Sequence, residues 1–242
     1  MRLDKFFTTV GLLSRRETAI AVRRGEITVC GAPALRADMQ VDPERDAVTL
    51  RGEPVVYRRF VYLWLNKPEG YVSATEDGRL PVVTELAPEE YRRLSLFPCG
   101  RLDRDTVGLL LLTNDGALSH ALLAPRRAVP KIYRFRVAAP LPKEAEARLA
   151  EGMTLGEVQC RPAVLTADED RMGGTVVLTE GKYHEVKRMM AALGAPITYL
   201  ERCAFAGIPL DPDLPRGATR PVSEGELATL RAAAGLSDTV TD

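Results

Sequence analysis

Metal-binding and nucleophilic side chains are scarce in this chain. It has two histidines, His120 and His184, and four cysteines. Cys30, Cys99, Cys160 and Cys203 are scattered, with no C-x-x-C pair. That spacing offers neither a zinc signature nor a disulfide framework, so we expect reduced thiols, a cytoplasmic location and no metal. No apolar run approaches the ~20 residues that span a bilayer, so no membrane partner is expected. Met1 to Lys5 mix acid and base without an apolar core, which argues against a signal peptide. There is no glycine-rich phosphate loop, no evident Ser/His/Asp set and no pair of carboxylates flanked by aromatics. Net charge is also absent, since 33 basic side chains meet 33 acidic ones. Taken alone, that balance disfavours a nucleic-acid partner.

The distribution of charge says otherwise. Met1 to Arg36 carries seven bases against three acids, and Glu201 to Asp242 carries four arginines against seven acids. A basic head and an acidic tail cancel in the sum, and local fields decide which surface meets phosphate. The 242 residues, 45% apolar and 27% charged, suit one large globular domain or a small module plus a medium one.

Leu3, Phe6, Phe7 and Val10 follow helical spacing, with Gly11 as a stop. Ser14-Arg15-Arg16-Glu17 is a capping box that opens a second helix, expected to run to Arg24 before Gly25. "EITVCG" and "DAVTLRG" read as short strands. The bases Arg2, Lys5, Arg15, Arg16, Arg23 and Arg24 lie on or near these helices. They form either a solvated face or a surface for RNA phosphates. "EPVVYRR" reads as a linker, expected over 54–59 between a module at 1–53 and a domain at 60–242. In the second part Phe60 to Leu65 reads as a strand, and Asn66 to Gly70 as a turn. "LLLLT", "KIYRFRV" and "TVVLT" read as strands, "LSHALLA" and "EVKRMMAALG" as helices, and Ser223 to Gly235 as a terminal helix. Local hairpins with few crossover helices argue for α+β: a mixed, largely antiparallel sheet with flanking helices.

Three stretches mix acid, base and aromatic. In "GRLDRDTVGLLLLTNDG", Gly100 to Gly116, a turn of alternating arginine and aspartate runs straight into an apolar strand. Asp103 is there either a cap or ion-pair partner, or a carboxylate aimed into a cleft. In "PRRAVPKIYRFRV", Arg126, Arg127, Lys131, Arg134 and Arg136 meet no acid. Tyr133 is there a core aromatic or a ring on which a base stacks. In "EGKYHEVKRM", Lys187 lies near a helix start beside the buried stripe Val186, Met189, Met190 and Leu193. It is a snorkelling lysine or a cation with a buried counter-charge.

Together and in this order, these stretches resemble the three motifs of pseudouridine synthases of the RsuA branch, and "YLWLNKPEGYV" is similar to that branch's entry strand. The stretch "MRLDKFF…SRRETAIAVRRGEITVCG" resembles the alpha-L RNA-binding module shared with a ribosomal small-subunit protein. The resemblance spans Met1 to about Arg220. It implies isomerisation of uridine to pseudouridine in ribosomal RNA, most like the small-subunit (16S) enzyme, with a large-subunit (23S) enzyme or a non-catalytic RNA-binding assembly protein as alternatives. It implies Asp103 as the catalytic aspartate, Tyr133 as the stacking ring and Lys187 as the cation paired with the aspartate. Lys187 keeps the charge of the arginine found in many relatives but not its two-pronged geometry. Arg101 is similar to the arginine that helps extrude the nucleotide. Lys67, Arg126, Arg127, Lys131 and Arg188 join Arg101 and the six N-terminal bases as expected RNA contacts. No cofactor is implied, the partner is ribosomal RNA or an assembling particle, and a monomer is expected.

Overall fold

The computed structural model describes residues 1–236, which divide into two compact units. The first comprises Met1–Val61 with Ala87–Leu96, and the second Tyr62–Leu86 with the chain from Phe97 onward. Residues 237–242, the end of the domain expected over 60–242, lie outside the described residues.

In the first unit α1 (Leu3–Thr9) and α2 (Arg15–Arg23) precede β1 (Ile27–Val29), β2 (Ala32–Pro33), β3 (Val48–Leu50) and β4 (Glu53–Pro54). The strands form an antiparallel sheet in the order β2-β1-β3-β4. Helical spacing puts Leu3, Phe6 and Phe7 on one face, where they share a core with Ala21, Val22, Ile27 and Val48. Both halves of the capping box form: Glu17 N–H donates to Ser14 Oγ at 3.2 Å, and Ser14 N–H to Glu17 Oε2 at 2.7 Å. Gly11 ends the first helical stretch at φ +73°, a left-handed conformation that favours glycine. Residues 54–59 do not hang free as a linker. Val55 N–H donates to Val48 O at 2.8 Å, and the Tyr57 ring stacks on Phe6 with centroids 5.5 Å apart. Their alternate apolar side chains join the first core.

The second unit contains β5 (Tyr62–Lys67), β6 (Phe97–Pro98), β7 (Val107–Thr113), α3 (Gly116–Leu123), β8 (Lys131–Val137), α4 (Ala145–Glu151), β9 (Thr154–Leu155) and β10 (Val158–Gln159). It continues through β11 (Val164–Ala167), β12 (Gly173–Leu178), α5 (Glu185–Ala192), β13 (Ile197–Phe205), β14 (Ile208–Pro209), β15 (Thr219–Pro221) and α6 (Glu224–Ala234). A nine-stranded sheet runs β11-β12-β8-β13-β7-β5-β15, with β14 on β13 and β6 on β7. Among the described residues its one parallel pair joins β7 to β13. β7 is buried at every position. Leu109 and Leu111 pack with Leu118 and Leu122 of α3 and Leu230 and Ala234 of α6. The α+β reading therefore stands. One local reading changes: Asn66 and Lys67 are not in a turn but complete β5, opposite Leu109 and Gly108. No helix among the described residues is long and apolar enough to cross a membrane.

Candidate active site

Asp103 stands on a turn that its neighbours hold from below. Ser73 Oγ donates to Leu102 O at 2.9 Å and accepts from Leu102 N–H at 3.0 Å. Lys67 is fully buried and its Nζ donates to the carbonyls of Pro68, Arg104 and Thr106 at 3.0, 3.2 and 2.8 Å. Burial pushes Lys67 down to about 8, against the attraction of Asp105 and Asp103. Lys67 therefore cannot serve as the expected RNA contact. It is the strut under the aspartate turn. The strand behind the turn requires glycine at position 108: φ is +103°, and a Cβ there would sit 2.3 Å from the Arg202 carbonyl.

Above this base, Asp103 meets two cationic or ionisable groups from α5. Lys187 Nζ lies 3.0 Å from Asp103 Oδ2 and 2.5 Å from Asp105 Oδ1. His184 Nε2 lies 3.3 Å from Asp103 Oδ1. Burial opposes the Lys187 charge, but hydrogen bonds to Asp105 and Asp103 outweigh it and hold the ammonium above its ordinary value. Burial likewise opposes the Asp105 charge, and Lys187 more than compensates, keeping that carboxyl below the usual range. His184 reaches Asp103 because its backbone is left-handed, φ 49°, at the N-cap of α5. Its ring stacks on Tyr183 at 3.8 Å, and Tyr183 is exposed.

Tyr133 is buried on β8, where strand alternation sends it to the same face as Phe135 and Val137. Asp103, Arg101, Tyr133 and His184 line a cleft of about 580 Å³. A smaller adjoining recess adds Lys187 to that set. The arrangement presents a carboxylate, a cation paired with it and an aromatic wall at one opening.

The remaining expected RNA contacts differ in availability. Lys5, Arg15, Arg16, Arg23 and Arg24 are exposed in the first unit. Arg2 is exposed but commits both prongs of its guanidinium to the buried Asp4, at 3.1 and 2.7 Å. In the second unit Arg101, Arg126 and Arg127 are exposed, the last two beside the cleft residue Pro125. Arg188 is half-buried and donates to Leu155 O at 2.5 Å. Lys131 is buried within the cleft rather than displayed on the surface.

The sequence reading did not single out His184, Asp105 or Arg202. The first two sit inside motifs it quoted, yet only the backbone turn at His184 and the reach of Lys187 bring them to Asp103. Cys160, Glu180 and Glu185 also gather, with ligand atoms within 4.8 Å of one another. Burial pushes Glu185 up to about 7 and raises the Cys160 thiol, so both resist the deprotonation that a metal needs.

The profile of a family described as RNA pseudouridylate synthase matches residues 61–192. Over 234 residues the chain is 43% identical to an uncharacterized RNA pseudouridine synthase of Bacillus subtilis (strain 168), YtzG, covering 95% of this chain and 98% of that one. It is 36% identical over 236 residues to ribosomal small subunit pseudouridine synthase A of Escherichia coli (strain K12), covering 95% of this chain and 100% of the relative. A crystal structure of a pseudouridylate synthase superposes with a TM-score of 0.67 at 33% identity, covering 95% of this chain and 99% of that one.

Proposed function

The chain belongs to the RNA pseudouridylate synthase family, as an RsuA-type enzyme acting on ribosomal RNA, and from that premise we propose that it isomerises one uridine of small-subunit ribosomal RNA, acting as a cytoplasmic monomer. The observation that carries the proposal is the Asp103 carboxylate held 3.0 Å from Lys187 at the cleft that Tyr133 walls. The small-subunit target is supported by the relative of that name, which aligns along its whole length.

The target nucleotide leaves its stack at a cost of a few kcal/mol, which phosphate contacts offset. Arg101, exposed at the cleft mouth, fills the space the nucleotide vacates. Tyr133 stacks on the extruded base. The bond between ribose C1′ and uracil N1 breaks, and Asp103 meets the positive charge that develops at C1′. Lys187, 3.0 Å from Asp103 Oδ2, holds that carboxylate in place. The base turns and C5 attacks C1′. The C5 proton is then lost and N1 gains one, so the product is an isomer of the substrate. The exposed bases of the first unit hold the RNA backbone, as the alpha-L resemblance implies.

Small-subunit and large-subunit transcripts treated with wild-type or Asp103→Asn protein, then mapped for pseudouridine by chemical adduct and primer extension, decide the matter. We expect one new stop in the small-subunit RNA, absent with Asp103→Asn although that variant still binds RNA. A stop confined to the large-subunit RNA moves the target. Near-normal product from Asp103→Asn removes Asp103 from the mechanism.

A further inference from the structure

Two cations lie in the cleft floor without a carboxylate to receive them. Lys131 is 7% exposed, and its Nζ donates to the Val129 carbonyl at 2.9 Å. Arg202 is 2% exposed. Its Nε donates to the Leu109 carbonyl at 2.7 Å, and its buried Nη2 has no hydrogen-bond partner. Neither has an ion-pair partner among the described residues. Both line the cleft that contains Asp103 and Tyr133.

Strand geometry places them there. Lys131 is two residues before Tyr133 on β8, and Arg202 is directly opposite Tyr133 on β13. All three side chains therefore leave the same face of the sheet. A buried cation with no counter-charge is costly, and removing it for stability would be simple. Its presence points to an occupant that supplies acceptors. Lys131 and Arg202 are buried in the cleft as Tyr133 is, where a base would stack, whereas Arg126 and Arg127 are exposed and suit phosphates. A uracil ring brings two carbonyl oxygens there.

Resting on the pseudouridine-forming reading above, we propose that Lys131 donates a hydrogen bond to a carbonyl oxygen of the target uracil and, with Arg202 behind it, stabilises the negative charge the detached base carries. When the C1′–N1 bond breaks, its electron pair stays on N1, and the charge spreads to the ring oxygens. When C5 attacks C1′, that electron pair becomes the C5–C1′ bond and the base is neutral again; C5 then loses its proton and N1 gains one, which leaves the charge unchanged. Lys131 keeps its own proton throughout. The interaction is strongest between these two events, so it lowers a barrier rather than tightening binding. A phosphate contact has no such preference, because a phosphodiester is equally charged before and after.

The electrostatics suit this role. Burial first, and the Arg202 charge second, push Lys131 down to about 8, against the opposing influence of Cys99 beside β6 and Glu185 on α5. The other titratable groups lining the cleft are Asp103, Glu180, Lys182 and His184, with Tyr183 at its edge and Arg101 as a fixed charge. A lysine with this basicity is charged at neutral pH and loses that charge as pH rises through about 8.

Single-turnover rates and RNA affinities, measured from pH 6 to pH 10 on a ribosomal RNA transcript, test the proposal. Lys131→Met should slow turnover by roughly 10²-fold with RNA affinity and its salt dependence unchanged. Lys131→Arg should recover part of the rate and lack the decline that wild type shows above about pH 8. Arg202→Met should move that decline to higher pH, which a purely structural arginine would not do. Should Lys131→Met fail to fold, the pH profile of Lys131→Arg decides alone. A Lys131→Met enzyme as fast as wild type overturns the proposal. So does a loss of affinity with a shallower salt dependence and an intact rate, which identifies a phosphate contact. Wild-type protein that makes no pseudouridine in either ribosomal RNA overturns the parent reading as well, which separates the two failures.

Discussion

Lys187 divides one ammonium between two carboxylates, Asp103 at 3.0 Å and Asp105 at 2.5 Å. An exposed pair of this kind contributes little, but this lysine is three-quarters shielded and its geometry is fixed by the helix that carries it. Its value lies in aim and charge rather than in stability. Lys187→Met should lower the single-turnover rate by roughly 10²-fold at saturating RNA. Lys187→Arg should keep most of it, because a guanidinium restores both the charge and a two-pronged grip. A methionine variant with an unchanged rate would reduce Lys187 to a surface ion pair. His184 belongs to the same set of contacts. A non-glycine residue in the left-handed region is uncommon and persists where its surroundings enforce it. Here the ring is held between Tyr183 and the Asp103 carboxylate.

At the scale of elements, the aspartate turn depends on the end of β5. Lys67 ties together the carbonyls of Pro68, Arg104 and Thr106, the second of which also accepts from Gly70 N–H at 2.9 Å. Lys67→Met should destabilise the protein by about 1–3 kcal/mol and reduce turnover, with RNA affinity unchanged. Thermal melts and single-turnover assays read both effects. The same lysine makes stability depend on pH. Its folded value is about 8 against an ordinary 10.5. Between those two values the unfolded chain binds more protons than the folded one, so this group makes stability rise with pH across that window. Lys67→Met should remove its share of the rise, and chemical denaturation at pH 8 and pH 10 measures it. A variant that melts like wild type and has the same pH dependence would show that Lys67 is not the strut.

Across the whole molecule, zero net charge conceals a basic first unit. Arg15, Arg16 and Arg23 are exposed, and among the described residues the only side chain-to-side chain ion pair on α2 uses Glu17. If these arginines meet phosphates, replacing all three with alanine should weaken RNA binding. The slope of log affinity against log salt should become shallower by about 2–3, with turnover at saturating RNA within about twofold. Filter binding across a salt series reads this. An unchanged slope would assign the arginines to solvent.

Local patterns carried much of this protein. The helix over Leu3–Thr9, the capping box at Ser14, the apolar strand β7 and the buried stripe of α5 follow from spacing alone, because neighbours along the chain decide them. The family was legible for the same reason, since its motifs are short and contiguous. Burial was not legible. Lys67 and Lys131 read from sequence as bases available to RNA, and only the sheet order shows that one is a strut and the other a cleft floor. Arg202 joins the cleft because β13 runs parallel to β7, which places Arg202 against Gly108 across 94 residues of chain. Residues 54–59 read as a linker by composition and became part of a core because Val55 and Tyr57 found apolar partners. The sequence by itself determined the elements, the family and the residues at the aspartate turn. The tertiary structure decided which charges are buried and which face RNA, because desolvation depends on every strand packed around a side chain and not on its neighbours in the chain.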